Sequence, residues 1–186
     1  DIMISLKASD VHTTIEAYRA MAKACNYPFH LGVTATGSDS EAIVKSSVGI
    51  GTLLAEGIGD TIRVSLTGPS EDEIVIGQQI LQSLGLRRFR PEVISCPTCG
   101  RCQVNLTKVV KQAKYAIRNT QYARRNKSNT IAIMGCEVNG PGEAKEADIG
   151  IAFGKGSGAL FKKGKIVKKV KSKDAVKELL KVTSNL

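Results

Sequence analysis

Short apolar runs and longer amphipathic ones alternate through the first 88 residues. Residues 2–6 (Ile-Met-Ile-Ser-Leu) predict a strand, Ser9-Asp10 a helix cap, and an amphipathic helix then runs to about Cys25. Residues 29–34 predict a second strand, followed by a Gly/Ser/Asp loop and a helix from about Asp39 to Glu56. Residues 61–66 predict a third strand. Gly68-Pro69 follows, and Ser70 with Glu73 predicts a capping box for a helix ending near Leu84. Strand and helix alternate without exception, which argues for parallel strands in an α/β fold.

Side-chain parity sharpens the picture. Ile2, Ile4 and Leu6 share one face, as do Leu31 and Val33, and as do Ile62, Val64 and Leu66. The opposite faces carry Ser5 and Lys7, then His30, Gly32 and Thr34, then Arg63, Ser65 and Thr67. Doubly wound sheets bury both faces in aliphatics. A face that is repeatedly polar toward the strand C-termini fits instead a (β/α)8 barrel of the TIM type with an anion at its mouth. Three units cannot close eight strands, so residues 1–88 are expected to be the last part of such a barrel, with the others upstream. The start at Asp1, without an initiator Met and directly inside a strand, gives the same expectation. Lys7, Arg63 and Ser65 are candidate phosphate ligands, two cations and a hydroxyl at a strand-end rim. Each also has a plainer reading: a solvated lysine, a partner for a carboxylate, a small barrel filler. His12 and His30 lack metal-ligand spacing and are assigned structural roles.

Residues 89–186 have a different grammar. A strand over 92–95 runs into Cys96-Pro-Thr-Cys99-Gly-Arg-Cys102, and a helix follows from about Leu106 to Asn119. A second strand over 130–134 ends in Gly135-Cys136-Glu137-Val-Asn139-Gly140-Pro141-Gly142-Glu143. Lys163-Gly164 predicts a hairpin turn between 159–162 and 165–170, and residues 173–183 a terminal amphipathic helix. The glycine-rich stretch 154–158 does not fit a phosphate-binding P-loop and is read as a loop. Together these make an α+β domain.

Composition (42% hydrophobic, 24% charged) excludes a disordered tail. No apolar run approaches the roughly 20 residues that span a bilayer, and no signal-peptide pattern is visible, so a cytoplasmic protein with no membrane partner is expected. The net charge of +10 is unevenly spread: residues 1–88 carry 7 Lys/Arg against 10 Asp/Glu, and residues 89–186 carry 20 against 7. The basic half could attract nucleic acid, an acidic protein or a phosphorylated small molecule. With no Trp and only 8 aromatics, base-stacking platforms are poorly supplied.

Four of the five cysteines, Cys96, Cys99, Cys102 and Cys136, fall within 41 residues, immediately past predicted strand ends and in turns built from Gly and Pro. In a reducing compartment such clusters bind metal more often than they form disulfides. Cys25 is expected to be a buried thiol. Zinc sites favour paired CxxC motifs or added His; one CxxCxxC with a lone distant Cys favours an iron–sulfur cluster, with Cys96, Cys99, Cys102 and Cys136 as the simplest ligand set.

Several segments resemble the 4-hydroxy-3-methylbut-2-enyl diphosphate synthase family: Ser5-Leu-Lys7-Ala-Ser-Asp10, His30-Leu-Gly-Val-Thr34, Glu56-Gly-Ile-Gly-Asp-Thr-Ile-Arg63-Val-Ser65-Leu66, Cys96-Pro-Thr-Cys99 and Gly135-Cys136-Glu-Val-Asn139-Gly-Pro-Gly-Glu143. The resemblance runs in order to about Gly150 and is looser beyond. It implies a [4Fe–4S] cluster held by Cys96, Cys99, Cys136 and Glu143, in a domain of the sulfite/nitrite reductase type. It also implies a substrate diphosphate bound by Lys7, Arg63 and Ser65. Glu143 is then the catalytic residue, because a hard carboxylate on one iron can give way to a substrate oxygen. Cys102 is left as a spectator thiol or an alternative ligand. The family often has Glu in the segment Thr34-Ala35-Thr36; Ala35 cannot supply a proton, and no role is carried to it.

The activity so implied is the two-electron reductive opening of 2-C-methyl-D-erythritol 2,4-cyclodiphosphate to 4-hydroxy-3-methylbut-2-enyl diphosphate with loss of water. A ferredoxin or flavodoxin would supply the electrons, and a homodimer is implied in which the cluster domain caps a neighbouring barrel. Two rivals stand beside it: a ferredoxin-type electron carrier with four thiolate ligands, and a zinc-containing basic nucleic-acid-binding module.

Overall fold

In the computed structural model, which describes residues 1–34, 36–118 and 120–184, the chain divides into two units, Asp1–Arg88 and Phe89–Leu186. In the first, β1 (His30–Leu31) pairs in parallel with β2 (Thr61–Ile62), and Ile4 forms a parallel bridge to Phe29. The ladder is shorter than the three predicted strands. Backbone bonds extend its register, from Thr34 N–H to Ala8 O at 3.2 Å and from Arg63 N–H to Leu31 O at 2.8 Å. Three helices alternate with these segments: α1 (Val11–Ala24), α2 (Asp39–Ala55) and α3 (Ser70–Ser83).

The aliphatic parity is realised. Leu31, Val33 and Val64 are buried, and Leu31 and Val64 pack with Ile15 and Tyr18 of α1, Ile50 and Leu53 of α2, and Ile76 and Ile80 of α3. Ile2 is the exception and is exposed. Asp10 caps α1 by accepting the Thr13 N–H at 2.6 Å. Tyr18 fastens that helix to two extended segments: its hydroxyl donates to His30 O and accepts the Leu6 N–H at 3.0 Å. Losing this hydroxyl would strand a backbone donor, at a cost of about 1–3 kcal/mol. The capping box expected at Ser70 does not form. The helix begins at Ser70 itself with Pro69 at the cap, and the Glu73 carboxylate accepts the Leu66 N–H at 2.9 Å instead.

The second unit is a five-stranded sheet in the order β3 (Glu92–Ser95), β4 (Thr130–Met134), β5 (Ile149–Gly154), β6 (Ser157–Lys162) and β7 (Lys165–Lys171). The β3–β4 and β4–β5 pairs are parallel, and β5–β6 and β6–β7 antiparallel. The helices are α4 (Leu106–Arg118), α5 (Gln121–Arg125), α6 (Gly140–Glu146) and α7 (Ala175–Ser184). Leu106, Ala113 and Ile117 of α4 join Ala175 and Leu179 of α7 over Ile131, Ile133, Ile149 and Ile151. Ala144 of α6 packs with Ala132, Met134, Ala152 and Phe161 in a separate apolar cluster. Every residue of β5 is buried, as expected for a strand covered on both faces.

The hairpin at Lys163-Gly164 forms with positive φ at both residues, 48° and 79°, the arrangement that suits right-twisted strands. The stretch read as a loop over 154–158 is a tight turn between β5 and β6, with Gly154 opposite Ser157. The expected end of α4 at Asn119 lies outside the described residues, as does Ala35. Among the described residues no helix is long and apolar enough to cross a membrane.

Lys168 of β7 and Lys181 of α7 both pair with the Glu178 carboxylate and hold its pKa down to about 2, from an ordinary 4.5. The unfolded chain therefore binds more protons than the folded one between those values. The stability this group contributes is complete above about pH 4.5 and is lost as the pH falls toward 2. Denaturation midpoints measured across that window should fall more steeply in the parent than in Glu178→Gln, and parallel profiles would contradict the assignment.

Candidate metal centre

Register brings the two cysteine loops together. Glu92 pairs with Thr130 and Ser95 with Ile133, so Cys96 follows the end of one strand and, one residue beyond Met134, Gly135-Cys136 follows the end of its neighbour. The Gly135 N–H donates to the Cys96 sulfur at 3.3 Å, and the Gln103 N–H to Gly135 O at 2.8 Å. Gly135 is needed for this crossing. A Cβ there would stand 2.5 Å from the Cys102 sulfur and 3.3 Å from Leu106 Cδ2.

Cys136 is buried, and its thiol is pushed below the ordinary cysteine range. The backbone N–H groups of Asn139, Gly140 and Val138 are the main cause, and the Arg101 charge adds to them. Cys96 and Cys102 are half-buried and Cys99 is exposed. The Cys102 thiol donates to Val104 O at 3.2 Å. Glu143 lies exposed in the first turn of α6. Among the described residues no three His, Cys, Asp or Glu side chains converge closely enough to hold a metal ion. Cys96 and Cys102 meet at Gly135, next in sequence to Cys136, while Cys99 and Glu143 stand in solvent.

The donor set nonetheless fits a cluster. One backbone N–H, from Gly135, meets the Cys96 sulfur, and those of Asn139, Gly140 and Val138 meet the Cys136 sulfur; such donors stabilise thiolates and tune iron–sulfur centres. Gly135 and Arg101 were not singled out from sequence; the glycine directly before Cys136 was the available signal. Cys25, expected to be buried, is half-buried at the end of α1.

In the first unit the ladder continues into a row. Ile4 opposite Phe29 and His30 opposite Thr61 put Lys7, Gly32 and Arg63 side by side. A Cβ on Gly32 would lie 2.9 Å from Arg63 O and 3.4 Å from Lys7 Nζ, so the missing side chain is what lets the lysine cross the strand. Ser65 follows two residues along, and its carbonyl accepts the Thr36 hydroxyl. His30 Nδ1 lies 2.8 Å from the Thr61 hydroxyl oxygen. In the second unit a groove is lined by Lys168, Lys169, Lys171, Lys173 and Lys177 together with Asp174 and Glu178, so that lysines outnumber carboxylates in it.

Parallel strand–helix units with a cationic row, followed by a mixed sheet with thiols past adjacent strand ends, define a two-unit α/β protein with a candidate metal centre. Residues 1–78 match the family model described as the GcpE TIM-barrel domain, and residues 92–185 the GcpE protein C-terminal domain. The chain belongs to the GcpE family. It is 52% identical over all 186 residues to a Clostridium perfringens protein, covering 52% of that relative. It is 56% identical to a Thermodesulfovibrio yellowstonii protein over 97% of the chain and 50% of the relative. With a Geobacter sulfurreducens protein it shares 50% over 96% of the chain and 49% of the relative. All three relatives are named 4-hydroxy-3-methylbut-2-en-1-yl diphosphate synthase (flavodoxin). The chain spans about half the length of the curated relatives it matches.

Gly135→Ala should lower stability by about 1–3 kcal/mol, as overpacking does. Adding Cys102→Ala should recover most of that loss in denaturant titrations. An equal loss in the single and double variants would show that the Cys102 sulfur is not what Gly135 makes room for.

Proposed function

We propose that the protein reductively opens 2-C-methyl-D-erythritol 2,4-cyclodiphosphate to 4-hydroxy-3-methylbut-2-enyl diphosphate, consuming two electrons and two protons and releasing water. The observation that carries this reading is the Gly135 N–H on the Cys96 sulfur, which joins two cysteine loops in a chain about half identical to relatives bearing the synthase name. Cys96, Cys99, Cys136 and Glu143 would hold a [4Fe–4S] cluster, which when bound supplies one-electron transfers and an iron open to oxygen ligands. On this reading residues 89–186 form a cluster domain of the sulfite/nitrite reductase type, and residues 1–88 the last units of a diphosphate-binding barrel.

The chain's own residues have separable tasks. The register puts Lys7 and Arg63 on either side of Gly32, two cations available to a diphosphate, and Ser65 follows two residues beyond Arg63 with a hydroxyl. Gly135 and the turn over 138–140 keep N–H groups on the sulfurs. Glu143, on the first turn of α6 and without a charged partner among the described residues, is free to bind and to let go. The lysine groove along β7 and α7 suits an acidic flavodoxin or ferredoxin as donor. A cytoplasmic homodimer completes the reading. A simple electron carrier would have no use for the Lys7–Gly32–Arg63 row.

In the intact protein, Lys7→Gln and Arg63→Gln should each raise KM for the cyclic diphosphate on the order of tenfold, with a smaller change in kcat. Glu143→Gln should instead lower kcat by about a hundredfold while binding is retained. Anaerobic kinetics with reduced flavodoxin measure both, and an unchanged KM in the two cation variants would remove the diphosphate role.

A further inference from the structure

Cys102 is the one thiol of the four that the proposed ligand set does not use, and its place in the turn gives it a different partner. The Cys102 N–H donates to Cys99 O at 3.0 Å, closing Cys99-Gly100-Arg101-Cys102 into a β-turn. Such a turn holds its end Cα atoms within about 7 Å, and disulfides span about 4.4–6.8 Å. Cys99 is exposed, whereas Cys102 is half-buried and Cys136 buried. Cys96 is engaged by the Gly135 N–H. An oxidant from solvent therefore meets Cys99 first, with Cys102 poised behind it, the usual layout of a redox-active pair. What holds Cys102 away is one weak S–H bond to Val104 O and packing over Gly135.

We propose that Cys99 and Cys102 form a reversible disulfide site in the cluster-free protein. With a small-molecule disulfide such as oxidised glutathione, the Cys99 sulfur attacks one glutathione sulfur and releases the other as a thiol. The Cys102 sulfur then attacks Cys99 and releases the second glutathione thiol. Two protein S–H bonds are exchanged for one S–S bond, and the two electrons and two protons leave on the glutathione pair. The pair does not depend on the proposed activity. Its consequence does: oxidation would withdraw Cys99 from the ligand set, and a bound cluster would shield Cys99 from oxidation.

The test equilibrates the intact, cluster-free protein with a series of reduced and oxidised glutathione mixtures, quenches with acid, alkylates free thiols and maps tryptic peptides. Cleavage after Arg101 separates Cys99 from Cys102, so a bond between them keeps two fragments joined until reduction. The joined fragments should accumulate with oxidised glutathione, persist in Cys96→Ser and vanish in Cys102→Ser. Full alkylation of Cys102 at every mixture, a Cys96–Cys102 bond, or glutathione left permanently on Cys99 would each overturn the proposal. The same samples are then offered iron and sulfide. Oxidised parent should take up less iron than the same protein kept reduced, and the loss should reverse when the disulfide is reduced. Equal uptake with the disulfide present would overturn Cys99 as a ligand and leave the disulfide standing.

Discussion

Parallel pairing of β3 with β4 is the constraint on which the candidate centre depends. Two strands that leave a sheet side by side deliver their following loops to one place, about 4.8 Å apart at the backbone. The register of Ser95 opposite Ile133 then decides which residues meet there. A slip of one position would turn every side chain of β4 to the other face. It would separate the Gly135 N–H from the Cys96 sulfur and exchange Ile131 and Ile133, packed with α4 and α7, for Ala132 and Met134, packed with α6. Burial of β4 and β5 on both faces therefore sets the sulfur geometry indirectly: the core penalises any register but this one.

The first unit obeys the same logic with charge in place of sulfur. Leu31, Val33 and Val64 must face the helices to be buried, which leaves Lys7 and Arg63 on the opposite face. Gly32 between them keeps the row open. Tyr18 secures the arrangement by satisfying backbone groups of two extended segments with one buried hydroxyl. Apolar packing positions polar chemistry in both units, and a glycine, Gly32 or Gly135, stands where a Cβ would collide with the neighbouring segment.

Period-two and helical patterns made most of this legible in the sequence, because they report one-sided burial directly. The three helices of the first unit, the β3 and β4 strands and the final hairpin all carry such patterns. β5 was missed because Ile149-Gly-Ile-Ala-Phe-Gly154 is apolar throughout and flanked by glycines. Only pairing on both sides and the close approach of Ala144 to Gly150 explain those glycines. α6 was hidden by Gly140-Pro141-Gly142, residues that read as a turn yet start a seven-residue helix. The Ser70 capping box failed because local pattern cannot see that Glu73 has a tertiary alternative in Leu66. The cysteine spacing announced a metal site without saying which thiols the fold makes available. That depends on burial and on N–H donors from a strand about forty residues away.

Anaerobic reconstitution of the intact protein with iron and sulfide, followed by metal and acid-labile sulfide analysis and Mössbauer spectroscopy, tests the central claim most directly. Iron and sulfide bound in equal amounts, with one iron distinct from the others and that distinction lost in Glu143→Ala, is the result this account predicts. Zinc bound without sulfide would contradict it, and so would four equivalent irons unaffected by the Glu143 change.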